Sequence, residues 1–416
     1  FYRLLPSSGK FERRDYMLSL LALRDRNWAE AALGLSRAAA ATPLDLSVRQ
    51  AYAYVLRRIG RLEDAQKEQE AILKLDPTNA FARSEQQFSE VPAAPAASGG
   101  AAGAGLRSSS SPAGRESAAM ASAQQLMDQA CARHSQGYLE LATEYMRLSA
   151  WQEAGRTLDR GISIAKSSGE APYPLLLYYR AYVAGQDADN QTVNQSLAET
   201  GRRELRLDIF PFRFEDVKVL NYALRADPKN VNAAVLLGDL LYSRSRRSEA
   251  IELWRKALEV DGGHFFALRD LGMALLANGE RQEGLDLLTR ASGARPDHLA
   301  TTMLVTNIHA RLGNADAARN ALQRALDKSP GRDVLVEKLA SVEAQLGNDA
   351  QALQLLMTHT FDPTHQTYSL LHLYRGIRLM LALDSYRAND LPQALTHVRS
   401  AAQPPSSLGI DDFATV

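Results

Sequence analysis

The chain has 416 residues, and its 48 lysines and arginines balance 48 aspartates and glutamates. That balance excludes a strongly basic nucleic-acid binder or an acidic tail as the default reading, while 45% hydrophobic and 23% charged residues exclude wholesale disorder. The single cysteine, Cys131, permits no intramolecular disulfide and no cysteine-rich zinc site.

The start, Phe1-Tyr2-Arg3-Leu4-Leu5-Pro6, lacks the apolar core of a secretory signal. No uncharged apolar run reaches the length of about eighteen residues that a membrane helix needs, so no membrane span is expected. Beginning at Phe1 and stopping at Phe413-Ala414-Thr415-Val416, the sequence reads as part of a longer product.

Prolines that close apolar runs recur at a step of 34 residues, from Pro43 to Pro77 and from Pro296 to Pro330. Pro228 falls two such steps before Pro296, with Gly262 at the intermediate position. Small residues keep the same step: Ala31 and Ala65, Ala250 and Gly284, Ala318 and Ala352, then Ala257, Ala291 and Ala325. Small residues recur where two helices approach closely, so the step predicts repeated helical hairpins.

In chain order, repeats are predicted at 12–45, 46–79 and 135–168, followed by a weaker helix pair at 174–205. The segment 211–226 reads as a lone second helix entered through Phe210-Pro211-Phe212. Four repeats follow at 231–264, 265–298, 299–332 and 333–360, and a weaker pair at 375–402 closes the series. Between the second and third repeats, 91–122 is almost entirely Ala, Gly, Ser and Pro and has too little apolar bulk to offset its ordering entropy. The expected organisation is therefore a helical block at 1–90, a flexible linker at 91–122 and a main solenoid at 123–416. The two blocks either dock across the linker or move separately.

The unit at 231–264 carries Leu237-Gly238, Leu241, Ala250, Trp254 and Ala257, and the next carries Leu271-Gly272, Leu275, Leu288, Ala291 and Pro296. These resemble tetratricopeptide repeats, with Leu-Gly in the first helix, alanines in the second and a proline after it. The resemblance implies an all-α fold, a tetratricopeptide-type α-solenoid of stacked antiparallel helix pairs with almost no strand. Trp28 and Trp151 each stand three residues before the first small residue of their repeat, and each is expected to staple the turn to the second helix.

No catalytic or metal constellation emerges, so neither an enzyme nor a cofactor is expected. His359, His365 and His372 with Asp362 are spaced too irregularly for one helical face, and Asp362-Pro363 reads as a turn. Cys131 with His134 reads as a small core residue beside an unrelated histidine. Gly99 to Gly105 belong to the linker, without the strand and Lys-Ser/Thr of a phosphate loop. Arg244-Ser245-Arg246-Arg247 reads as a solvated turn, Arg202-Arg203-Glu204-Leu205-Arg206 is similar, and neither makes a nucleic-acid site.

Recognition by surface remains. The resemblance puts positions 2, 5, 9 and 12 of each first helix on the concave face. These are Asn232, Val235, Asp239 and Tyr242, then Phe266, Arg269, Met273 and Leu276, then Met303 and Asn307. Such a mixture of aromatic, Met, Arg and Asn suits a protein or peptide partner, and equally suits packing between repeats. At the positions where some repeats of this class clamp a C-terminal carboxylate with paired Lys and Asn, this chain has Val235 and Asp239, then Arg269 and Met273, then Met303 and Asn307, so no clamp is expected.

A broader resemblance runs through Leu23-Arg24-Asp25-Arg26-Asn27-Trp28, Tyr138-Leu139-Glu140-Leu141-Ala142, Tyr178-Tyr179 and Phe210-Pro211-Phe212-Arg213. It continues in Leu268-Arg269-Asp270-Leu271-Gly272, Leu391-Pro392-Gln393-Ala394-Leu395 and Ser407-Leu408-Gly409. This order is similar to the C-terminal repeat half of mostly bacterial proteins that carry an N-terminal β-sandwich resembling carbohydrate-binding or mutarotase-like domains. It implies two readings: a scaffold holding a partner or its own β-sandwich on the concave face, or the accessory half of a carbohydrate-active protein.

The register has a direct test. Ala250→Leu would drive extra methylenes between close helices and is expected to cost roughly 1–3 kcal/mol in chemical denaturation. A neutral result would put Ala250 on the surface and break the frame.

Overall fold

The computed structural model describes residues 14–90, 124–201, 204–206, 209–362, 364 and 368–408. The predicted linker at 91–122 lies outside the described residues, as do Arg202, Arg203, Pro363, His365 and Gly409. The described residues are helices and turns with no strand among them. The chain divides into two compact units, Phe1–Ala233 and Ala234–Val416.

The first unit contains α1 (Arg14–Arg24), α2 (Trp28–Ala41), α3 (Leu46–Arg58), α4 (Leu62–Leu75), α5 (Ala80–Glu90) and α6 (124–130). It continues with α7 (Ser135–Arg147), α8 (Trp151–Ser167), α9 (Pro174–Gln186), α10 (Asn190–Gly201) and α11 (Phe214–Ala226). Helix starts are set locally: the Asp45 carboxylate accepts the Ser47 N–H at 3.0 Å, which satisfies a donor that the first turn of α3 leaves unpaired. Tight turns require a left-handed residue between the two helices of a repeat, and Arg26 (φ +57°) and Gly60 (φ +80°) supply it one period apart.

Helix α5 begins one period after α3 and continues the register into a helix that the sequence reading did not single out. It packs on α7, with the Phe81 and Tyr145 rings 4.8 Å apart. The Tyr145 hydroxyl lies 2.9 Å from Ser84 Oγ and 3.1 Å from Glu85 Oε1. Helices on either side of the predicted linker thus share one core within this unit. Arg57 of α3 sits in it, donating to Glu85 at 2.7 and 3.1 Å and to Glu153 of α8 at 3.0 Å. Burial pushes the Glu85 carboxyl upward, and the Arg57 charge opposes that shift.

The two tryptophans also pack beyond their own turns. Trp28 packs on Tyr54 of α3 at 6.3 Å and Trp151 on Tyr182 of α9 at 6.2 Å, in both cases the first helix of the following pair. At the first position of a second helix the ring reaches across the seam between repeats.

The second unit takes in α12 (Val231–Ser243) from Ala234 onward, α13 (Arg247–Val260), α14 (Phe265–Asn278), α15 (Arg281–Ala294) and α16 (Leu299–Arg311). It ends with α17 (Ala315–Lys328), α18 (Asp333–Gln345), α19 (Asp349–Thr358), α20 (Tyr368–Arg387), α21 (Leu391–Ala402) and a 3-10 turn at Ser406–Leu408. Left-handed turn residues recur at Ser245, Gly279, Gly313 and Gly347, again one period apart. The last pair begins earlier than the sequence suggested, because α20 starts at Tyr368 and runs for 20 residues.

Small residues mark where paired helices touch. A Cβ on Gly238 would stand 2.5 Å from Trp254 Nε1. Gly272 and Gly284 face each other so closely that a Cβ on either would come within 3.0 Å of the other's carbonyl oxygen. Ala250, Ala318 and Ala352 are completely buried. Between repeats the contact is leucine on leucine: Leu322 of α17 clusters with Leu335, Leu339 and Val342 of α18. Leu356 of α19 clusters with Leu370, Tyr374 and Ile377 of α20.

Replacing Arg57 alone removes the guanidinium from buried Glu85, while Glu153 keeps Arg58 at 3.7 Å. Arg57→Leu is expected to lose about 3–5 kcal/mol at neutral pH in urea denaturation, with the loss shrinking in acid as Glu85 takes up a proton. A loss that does not change with pH would show that the Glu85 carboxylate is not the cause.

Candidate functional site

The first-helix face of the second unit carries most of the predicted contact residues, and burial sorts them. Phe266 is only 6% exposed; it packs edge-on against Phe265 at 5.1 Å, so it supports the face rather than presenting a contact. Arg269 lies half-buried over both rings, 5.6 Å from Phe265 and 5.0 Å from Phe266. Met273 is 47% exposed. Tyr242 is half-buried against Trp254 at 5.5 Å, with the Arg247 guanidinium over its ring. Met303 packs partly into the core cluster of Ala318 and Leu322, and Asn307 is exposed. In the first unit, Asn232 is buried and its amide donates to the Thr200 carbonyl at 2.8 Å, a structural task.

Asp239, Met273 and Asn307 fall one period apart on successive first helices. Asp239 accepts the Trp254 Nε1–H at 3.1 Å. Its carboxyl also neighbours that of Asp270, which Arg269 grips at 2.7 and 3.0 Å. Burial first and the Asp270 charge second push Asp239 well above the usual carboxylate range; burial also raises Asp270, against the pull of Arg269. The two acids therefore favour sharing a proton over carrying two negative charges. Asp270 escaped sequence reasoning because it lies one residue beyond a predicted position.

Beside Asn307 opens a cavity of about 380 Å³ lined by Asn307, Ala310, Arg311, Lys338 and Gln345. Arg311 and Lys338 bring two cations to it, and each stands one residue past a position that the register turns inward. A cavity of about 310 Å³ in the first unit is lined in part by Trp28, Tyr54, Arg58, Trp151 and Glu153. Of the three arginines that line it, Arg58 lies over Trp28 and 3.7 Å from Glu153, and Arg24 is 3.4 Å from Asp25.

The remaining candidates have structural roles. Cys131 is buried, and burial followed by the Asp128 and Glu140 charges pushes its thiol up to about 12, so it stays protonated. The His134 ring accepts the Gln136 N–H at 3.2 Å as the cap of α7. His359 Nε2 is 2.6 Å from Asp333 Oδ1. Arg246 pairs with Glu249 at 2.6 Å on the exposed turn. Among the described residues, no group of three His, Cys, Asp or Glu side chains is placed to hold a metal, and no helix is long and apolar enough to cross a membrane.

Residues 217–264 and 269–333 match the tetratricopeptide repeat family model. Among solved structures, PilW, a type IV pilus biogenesis factor, is 16% identical; the match covers 57% of this chain and 97% of that one with a TM-score of 0.30. YrrB, a tetratricopeptide protein with an unusual peptide-binding site, is 15% identical over 68% of this chain and 99% of its own, with a TM-score of 0.22. Yeast Tom70 is 13% identical over 96% and 86% respectively, with a TM-score of 0.28. No curated protein matches the chain. The tetratricopeptide fold rests on the helix pairing itself and on the two matched stretches.

The shared proton has a signed consequence. Asp239 binds its proton more tightly folded than unfolded, so its contribution to stability falls as pH rises from the unfolded value through the folded one. Asp239→Asn keeps an acceptor for Trp254 and removes the charge. It is expected to raise the melting temperature at about pH 7 and to change it little at about pH 3.5. An equal loss at both pH values would mean that the carboxylate itself is required for packing.

Proposed function

We propose that the second unit is a non-enzymatic scaffold that binds an extended segment of a partner protein along the concave, first-helix face of its repeats. The observation that carries the reading is the ladder of Asp239, Met273 and Asn307, one side chain per repeat, with the Arg311 and Lys338 cavity at its end. Tetratricopeptide proteins generally mediate protein–protein interactions, which supports the class of partner.

Chemistry narrows the segment. Met273 offers a polarisable apolar contact that adapts to different side chains. Arg311 and Lys338 favour a carboxylate close by, whereas Asp239, already raised by burial, disfavours another acid at the opposite end. The fitting occupant is an extended peptide with an aliphatic or aromatic residue over Met273 and an acidic residue near Lys338. A scaffold rather than a catalyst also fits a thiol held protonated and a neighbouring histidine used as a helix cap.

Selection from a random displayed-peptide library on the purified chain should return acidic, apolar-anchored sequences. Their affinity should fall roughly tenfold or more with Met273→Glu or Lys338→Glu, since a central interface contact is worth about 1.4 kcal/mol or more. Selected peptides that bind both variants undiminished would remove this face from the function.

A further inference from the structure

The cavity of about 310 Å³ in the first unit is lined from three inter-helix turns. Arg24 and Arg26 come from the turn before α2, Ser149 from the turn before α8, and Gln186 and Asp187 from the end of α9. Trp28 and Trp151, the first residues of α2 and α8, both border it and are both half-buried. The charges along its walls are not matched. Glu153 is already held by Arg57 at 3.0 Å, with Arg58 a further 3.7 Å contact. Arg24 reaches only its exposed neighbour Asp25, at 3.4 Å. Among the described residues Arg26, on the same turn, makes no ion pair. Two weakly engaged guanidinium groups therefore line one side, and the remaining acid, Asp187, belongs to the α9 side.

We propose that this cavity binds a nucleoside monophosphate, a site separate from the peptide face of the second unit. A carboxylate would answer one of the two arginines on the α2 turn, whereas a phosphate monoester brings nearly two charges and three acceptor oxygens to both. A bare phosphate would leave the indole rings against water. A flat base covers them, since indole and guanidinium groups both accept a stacked ring. Gln186 and Asp187 supply acceptors for the sugar hydroxyls on the side away from Arg24 and Arg26. The volume is at the small end for ligand sites, and a chain whose net charge is zero offers no track for a nucleic-acid strand, so the occupant is a single nucleotide.

Calorimetric titration of the full chain with AMP, GMP, CMP and UMP tests this, with tryptophan emission followed in parallel. At least one should bind with a dissociation constant below about 100 µM. It should also change the emission, because two of the three tryptophans border the cavity and the third, Trp254, is buried in the second unit. The matching nucleoside, which lacks the anion, and ribose 5-phosphate, which lacks the ring, should each bind roughly tenfold or more weakly. Arg26 has a left-handed backbone, φ +57°, which asparagine accepts. Arg26→Asn should therefore weaken binding roughly tenfold or more with helix content and melting unchanged, and Arg24→Gln should do the same. Inorganic phosphate that binds as tightly as the nucleotide overturns the proposal by leaving the ring without a role. Binding undiminished in both variants also overturns it, as does an affinity weaker than about 100 µM for all four nucleotides.

Discussion

Two helices of a repeat come so close at Gly272 and Gly284 that a methyl group on either would meet the other's backbone. The approach leaves no room for large side chains between the pair, so the leucines of the second helix turn sideways. A single hairpin gives those leucines nothing to pack on, and only the first helix of the next repeat removes them from water. Stacking therefore follows from the close pairing. The 34-residue step is the length of chain needed for two helices and the two turns that return it to the same place.

Polar groups inside the stack set where the apolar contacts fall. Arg57 joins Glu85 and Glu153 from helices far apart in sequence, and it does so in a site where the acids are almost wholly buried. Such a triad adds little net stability over a hydrophobic substitute, but the loss of one member is expensive. The Asp239, Asp270 and Arg269 cluster differs, because it lies half-buried on a face with exposed neighbours. Its two acids can relax by sharing a proton, which leaves that end of the face less negative than the residue types suggest.

The same pairing rule distributes function. First helices give up one edge to their own partner and another to the preceding repeat, so one remaining edge offers a side chain per repeat, as at Met273 and Asn307. Second helices offer nothing while covered. In α21, by contrast, Leu391, Leu395 and Val398 are about half exposed.

Periodicity alone determined the helix pairs, the small residues between them and the all-α class, because close packing of equivalent units forces equivalent residues at equal steps. The resemblance to tetratricopeptide repeats, carried onto that register, put Asp239, Met273 and Asn307 on one face. It could not separate contact from support: Phe266 and Asn232 share that pattern yet are buried, one under an arginine and the other on a backbone carbonyl. Nor could it find Asp270, Arg311 or Lys338, which lie one residue off the inward positions and reach the site by side-chain length. Trp28 and Trp151 were legible as packing residues, but their partners belong to the next pair. Those distinctions are tertiary, because burial and ion pairing depend on which neighbour arrives across the seam, and spacing within one chain segment carries no record of that neighbour.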